Sequence, residues 1–232
     1  MTERLTTALR CLIGVAFLSL PAVAITSLGT SPGDLIAASI LYAPFLLAGV
    51  GVLLKVAAAR GLGIGIGVMT ILMLAGVTIL DGRLPHIHGE EWVIAFQALG
   101  ALLALPIFHG TFGDAPRLRW TSAMIGIALP VATFYAMVYE GFASGCGWAA
   151  LLLVAVGVIG LALQKTWSLL ALLGASVLTA IPPLAVEAQL ASSAVPSVLG
   201  LVAAAAIALT WLPWLGPVVR NLRTPIEGDE TR

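Results

Sequence analysis

Two histidines and an acid alternate in the most polar internal segment of the chain, residues 81–91. His86, His88 and Glu90 carry imidazole nitrogen and carboxylate oxygen, the ordinary protein ligands of zinc, copper and nickel. In extended backbone, residues two apart point to the same side, so these three side chains can converge on one divalent ion. Because imidazole changes charge near pH ~6.5, a proton-sensing loop is a related interpretation. The alternative is a solvated acidic loop without a specific ligand.

Further carboxylates stand at the borders of apolar runs. Asp81 and Glu91 flank the histidine pair, and Glu140 and Glu187 each follow a later run. Clustered charge of one sign raises the local concentration of counter-ions, so these acids are candidates for a cation-attracting vestibule. Simple solvation of helix ends is the alternative interpretation for each of them.

The composition indicates where these residues must be held. The chain has 232 residues, of which 60% are hydrophobic and 9% are charged, and its formal net charge is zero. A soluble domain carries about 25% charged residues. The apolar residues come in runs near the ~20 residues that cross a hydrocarbon core about 30 Å thick. We therefore predict an all-α, polytopic membrane helical bundle, and the neutral charge gives no indication of a nucleic-acid partner.

Eight apolar runs predict eight transmembrane helices in a single bundle over 1–216. The predicted spans are about 11–28, 35–54, 62–80, 92–108, 120–139, 148–164, 167–186 and 197–215, with a cytoplasmic tail over 217–232. When the loops are assigned to alternate sides, Arg83 is the only one of the eleven Lys and Arg residues that leaves the common side. By the positive-inside rule, both termini are then cytoplasmic and the histidine segment is external. The excess of arginine over lysine and the abundant alanine favour a bacterial inner membrane.

The first run has a second interpretation as a secretory signal. Arg4 and Arg10 precede a short apolar stretch, and residues 22–24 (Ala-Val-Ala) have the small-residue pattern of a cleavage site. The apolar run continues past this site, which favours a retained first span. Cleavage would leave seven spans.

Glycine and proline predict how some spans pack. Gly61, Gly63, Gly65 and Gly67 form two overlapping G-x-x-x-G spacings, which let helices approach closely. We expect them to pack the third span on the second or fourth rather than on a second copy. The adjacent prolines at 182–183 are expected to break the seventh span. The deep polar groups are expected to make hydrogen bonds between helices, and they are Ser39, Tyr42, Gln97, Thr133, Tyr135, Ser176, Thr179 and Thr210.

Absent residue types limit the function classes. No Asp, Glu, Lys, Arg or His falls near the middle of a predicted span. Since ionisable groups at depth mark proton relays and coupled ion pathways, this argues against a proton-driven pump. No P-loop, no H-E-x-x-H motif and no complete nucleophile–base set is present, so we do not expect an enzyme. On the inner face, His109, Asp114, Arg117 and Arg119 could contact a phosphate headgroup, although topology alone places cations there.

Two functional hypotheses follow. The first is an accessory, scaffold or sensing component of a membrane assembly, whose acidic, histidine-containing outer face meets another membrane protein. The second is a small transporter or channel for a cation or a neutral solute, entered through the acidic outer mouth. Neither hypothesis requires a resident cofactor, and a divalent metal at His86, His88 and Glu90 is the one ligand that the residues indicate. The lipid bilayer is the partner that both hypotheses share.

Overall fold

In a computed structural model the chain is an all-helical bundle, and the structure describes residues 2–27, 32–81, 91–112, 115–162, 165, 167–186 and 194–217. The helices are α1 (Thr2–Ser27), α2 (Pro32–Leu53), α3 (Ala57–Asp81), α4 (Glu91–Phe96), α5 (Pro116–Val138), α6 (Phe142–Ala162), α7 (Trp167–Val186) and α8 (Ala194–Leu209). A 3-10 segment (Gln97–Ala104) continues α4, and shorter 3-10 turns follow at Pro106–Phe108 and Leu212–Trp214. The predicted all-α class is confirmed.

Six helices in the described part of the chain are long and apolar enough to cross a membrane. They are Glu3–Val23, Ala57–Ile79, Pro116–Val138, Phe142–Gly160, Trp167–Ala185 and Val195–Pro217. Two shorter apolar helices, Leu41–Leu53 and Trp92–Ala104, coincide with the second and fourth predicted spans. These helices support the multi-pass membrane class. The count of eight spans and the cytoplasmic termini remain predictions.

Several helices begin before the spans predicted for them, and α1 begins at Thr2 rather than at residue 11. Helix α3 begins at Ala57, not at residue 62, and α6 begins at Phe142, not at residue 148. The turn before α6 is short because Gly141 takes a φ of 73°, which lets the chain reverse at once. Helix α7 runs through Pro182 and Pro183, so the predicted break was wrong. These prolines lie near the end of α7, where each removes one backbone N–H and the rest of the helix is intact.

Helix α3 lies between α5 and the 3-10 segment, and its contact with α5 is the most extensive in the bundle. A β-carbon on Gly61 would meet the backbone carbonyl of Arg119 in α5. A β-carbon on Gly65 would likewise meet the carbonyl of Ala123, one turn further along. The two helices therefore touch backbone to backbone, which only glycine permits at these positions. The sequence indicated the second or fourth span as the neighbour of these glycines, so the contact with α5 was not predicted.

The other pair of glycines faces the 3-10 segment. A β-carbon on Gly67 would meet the backbone of Gly100 and Ala101. A β-carbon on Gly100 would in turn meet the carbonyl of Gly63. The predicted packing of the third span on the fourth is confirmed, and alternate glycines of α3 serve two different neighbours.

Candidate functional site

Most of the predicted outer site lies outside the described residues. This applies to His86, His88, Glu90 and Glu187, and to the side chains of Asp81 and Glu91, whose backbones end α3 and begin α4. Glu140 is described, and it is exposed in the turn between α5 and α6. Within the described ranges, no three His, Cys, Asp or Glu side chains come together as a metal site. The metal site therefore stays a prediction.

Cations gather at the opposite end of α3. Arg10 and Lys55 line one cavity, and Arg60 follows Lys55 by little more than a helical turn. The backbone of Arg119 lies against Gly61, the neighbour of Arg60. We call this end, where these four cations lie, the basic end. Its composition agrees with the predicted sorting of Lys and Arg to one side.

Lys55 occupies the tight turn between α2 and α3. The N–H of Val56 donates to the carbonyl of Gly51 at 2.8 Å. The N–H of Lys55 donates to the carbonyl of Val52 at 3.2 Å. This pair of bonds is the Schellman helix ending, in which glycine is the usual residue at the position of Lys55. Lys55 takes the left-handed φ of 63° instead. That conformation costs a residue with a β-carbon about 1–2 kcal/mol.

A polar cavity of about 350 Å³ opens beside Lys55. We call it the basic cavity, and its polar lining comprises Glu3, Thr6, Thr7, Arg10, Lys55 and Thr111. Nε and Nη1 of Arg10 are buried and have no hydrogen-bond partner among the described residues. A buried donor without a partner costs about 1–3 kcal/mol, and more when it is charged. Arg10 therefore combines a cationic side chain at the cavity wall with two buried N–H groups that lack a partner among the described residues.

Arg60 is buried, with 3% of its surface exposed, and no other Lys or Arg among the described residues is buried to this degree. Its Nε donates to the carbonyl of Leu103 at 3.0 Å, and its guanidinium carbon lies 5.9 Å from the centre of the Phe112 ring. The 3-10 segment ends at Ala104, and Leu105 takes an extended ψ of 143°, so the Leu103 carbonyl in its last turn has no N–H donor within the segment. Arg60 supplies a donor to this carbonyl. Arg60 thus ties α3 to the end of the 3-10 segment.

An apolar cavity of about 240 Å³ lies towards the other end of α3, between α3, α5 and α8. Met73, Val131 and Leu199 are among its lining residues, and that lining shares no residue with the basic cavity. Beside it, the Tyr135 hydroxyl donates to the carbonyl of Pro196 at 2.9 Å and joins α5 to α8. The two ends of the bundle therefore offer surfaces of different chemistry.

Polar side chains in the bundle interior bond to helix carbonyls. Gln97 is 1% exposed, and its Nε2 donates to the carbonyl of Ala16 in α1 at 2.9 Å. The Ser176 hydroxyl donates to the carbonyl of Ala204 in α8 at 2.7 Å. The predicted hydrogen bonds between helices are confirmed at these two positions. The prediction is wrong for Thr179 and Thr210, whose hydroxyls donate to the nearby carbonyls of Ala175 and Ile207. The Thr133 hydroxyl is buried without a partner among the described residues.

Sequence reasoning placed Arg60 and Lys55 together in a basic loop and missed the burial of Arg60. The run Ala57–Ala59 consists of the strongest helix former, which could have indicated that α3 begins before Arg60. Of the cations and acids proposed near a headgroup, His109 and Arg117 are exposed, Arg119 is half-buried and Asp114 is outside the described residues. Comparisons with protein-family models, with curated proteins and with solved structures find no match for this chain.

Proposed function

We propose that this chain is an accessory, scaffold or sensing component of a bacterial inner-membrane assembly, with eight spans and cytoplasmic termini. The gathering of Arg10, Lys55, Arg60 and Arg119 at one end supports the topology, because the positive-inside rule assigns such an end to the cytoplasm. Glu140 is then on the outer face, together with the predicted histidine segment. The two shorter apolar helices supply the second and fourth spans.

The observation that carries the accessory role is the backbone packing at the centre of the bundle. A transport path needs polar groups or irregular backbone that line an open route at the depth of the membrane. Here the irregular backbone, the 3-10 segment, packs against the glycines of α3, and Gln97 and Ser176 bond to neighbouring helices. Such an interior favours a structural or sensing role over passage of a solute.

A quantitative purification tests this role. We expect the full chain, extracted in a mild detergent, to retain another membrane protein at a fixed ratio through affinity and size-exclusion steps. We expect Glu140→Gln on the outer face to lower that ratio, and Arg117→Gln at the basic end to leave it unchanged. A chain that purifies alone, or variants that lose the partner equally, would contradict the accessory role.

The alternative is a small transporter or channel, and the apolar cavity between α3, α5 and α8 favours a neutral solute over a cation. In this case the purified chain in proteoliposomes would carry a flux that falls when Glu140, Glu187 or the pair His86 and His88 is neutralised. Flux that is absent, or unchanged in all of these variants, removes the transport hypothesis.

The sensing version of the role depends on His86, His88 and Glu90. We expect the full chain to bind one zinc ion, measured by calorimetry, and to lose that binding when both histidines become alanine. Glu140→Gln is the control, because it changes an outer carboxylate away from this segment. Equal zinc binding by the histidine variant would contradict the metal site and favour the alternative, a solvated acidic loop.

A further inference from the structure

We infer that the basic cavity binds the phosphate group of an anionic phospholipid headgroup. The inference concerns the end of the bundle opposite the predicted partner-binding face. It does not depend on whether the chain is an accessory component or a transporter.

The charges and donors of the cavity match a phosphate. Arg10 and Lys55 supply two positive charges against one negative charge from Glu3, so the lining is net cationic. Nε and Nη1 of Arg10 are buried without a partner among the described residues. A guanidinium has five N–H donors in a planar arrangement, and those that face the cavity can bind phosphate oxygens, whereas an ammonium such as that of Lys55 acts as a point charge. The hydroxyls of Thr7 and Thr111 add neutral donors to the same lining.

The volume of the cavity and an exposed apolar residue near it indicate a lipid as the source of the phosphate. A volume of about 350 Å³ accommodates a headgroup and lies at the small end of the range for ligand pockets. Leu54, which precedes Lys55 in the turn between α2 and α3, exposes 70% of its surface. In a membrane this apolar side chain would meet acyl chains. Basic pockets between membrane helices on the positive side are a known arrangement for anionic headgroups.

The backbone at Lys55 supports a binding role for its side chain. Glycine is the favoured residue at this helix ending, yet the chain places lysine there with a φ of 63°. The substitution Lys55→Gly relaxes the turn and removes the charge together. Stability and binding should therefore change in opposite directions, which separates a ligand-binding lysine from a structural one.

The test is native mass spectrometry of the purified full chain, titrated with phosphatidylglycerol, with phosphatidylcholine of the same acyl chains, and with glycerol phosphate. We expect one phosphatidylglycerol to remain bound in preference to phosphatidylcholine, and glycerol phosphate not to displace it. Arg10→Gln should weaken that binding about tenfold, the effect of losing a charge-assisted hydrogen bond. Glu3→Gln should strengthen it roughly twofold to fivefold, because a like charge is removed.

Matched controls distinguish the cavity from general attraction to a basic surface. Arg4→Gln and Lys165→Gln remove the same charge from exposed positions, and both should bind like the unchanged chain. Lys55→Gly should bind more weakly while its melting temperature rises. Equal loss in the Arg4, Lys165 and Arg10 variants would overturn the site, and full displacement by glycerol phosphate would overturn the lipid source. Arg10→Gln binding as tightly as the unchanged chain would overturn both.

Discussion

Glycine packs two regions of this bundle in different ways. Between α3 and α5, a β-carbon on Gly65 would meet a backbone carbonyl, that of Ala123. Between α6 and α7, a β-carbon on Gly174 would come within 3.1 Å of a terminal methyl of Leu153. A leucine methyl can move by rotation about a side-chain bond, whereas a carbonyl in a helix is held by its own hydrogen bond. The same residue type therefore fixes the helix separation in the first region and leaves room for adjustment in the second.

The difference explains why α3 organises the bundle. Its glycines set two close backbone contacts, one with α5 and one with the 3-10 segment, and Arg60 ties the same helix to the end of that segment. In the pair α6 and α7, β-carbons on Gly157 and Gly160 would first meet side-chain atoms of Leu172 and Ser168 rather than backbone. We expect substitutions to disturb the first region more than the second.

The largest effect is expected for Gly65→Ala. The added methyl must push α5 away from α3, so the free energy of unfolding should fall by about 3 kcal/mol or more. Gly174→Ala is the matched control, since the Leu153 methyl can yield and alanine favours the helix by about 1 kcal/mol. Unfolding in mixed detergent, followed by tryptophan fluorescence, measures both. Equal destabilisation by the two substitutions would mean that the two regions do not differ.

A smaller effect is expected for Arg60→Met, which keeps the length of the side chain and removes its donors. The carbonyl of Leu103 then lacks a partner, which should cost about 1–3 kcal/mol. Arg117→Gln, at an exposed position, should change stability by less than about 0.5 kcal/mol. A loss for Arg60→Met no larger than that of Arg117→Gln would refute the role of Arg60 as the donor to this carbonyl.

The smallest effect, of opposite sign, is expected for Gly145→Ala. Gly145 is an exposed residue of α6, and a β-carbon there would meet no atom within 4 Å. Alanine should therefore stabilise the helix by about 0.5–1 kcal/mol through its lower conformational entropy in the unfolded chain. A rise in the melting temperature confirms this, and a fall would reveal a contact with a partner or lipid at this position.

Part of this molecule could be predicted from residue types and their spacing. Apolar runs predicted the helical membrane class, and the G-x-x-x-G spacings predicted a close contact of the third span with the second or the fourth. The contact of Gly61 and Gly65 with α5 could not be predicted, because a glycine face is compatible with any neighbour that comes near enough. The breaking effect assigned to Pro182 and Pro183 was wrong, since in a membrane helix neighbouring groups can satisfy the carbonyls that a proline leaves without a donor. The predicted metal site at His86, His88 and Glu90 stays a prediction.

The sequence alone determined that the chain is helical and apolar, because burial of long hydrophobic runs in a bilayer needs no knowledge of neighbouring helices. The sequence also determined that the cations and most carboxylates lie in different segments between the apolar runs, since charge is a property of each residue. Only the tertiary structure decided that Arg10 and Lys55 share a cavity and that Arg60 donates to the carbonyl of Leu103. These relations join residues that are distant in the chain, and they depend on which helices pack together and how closely.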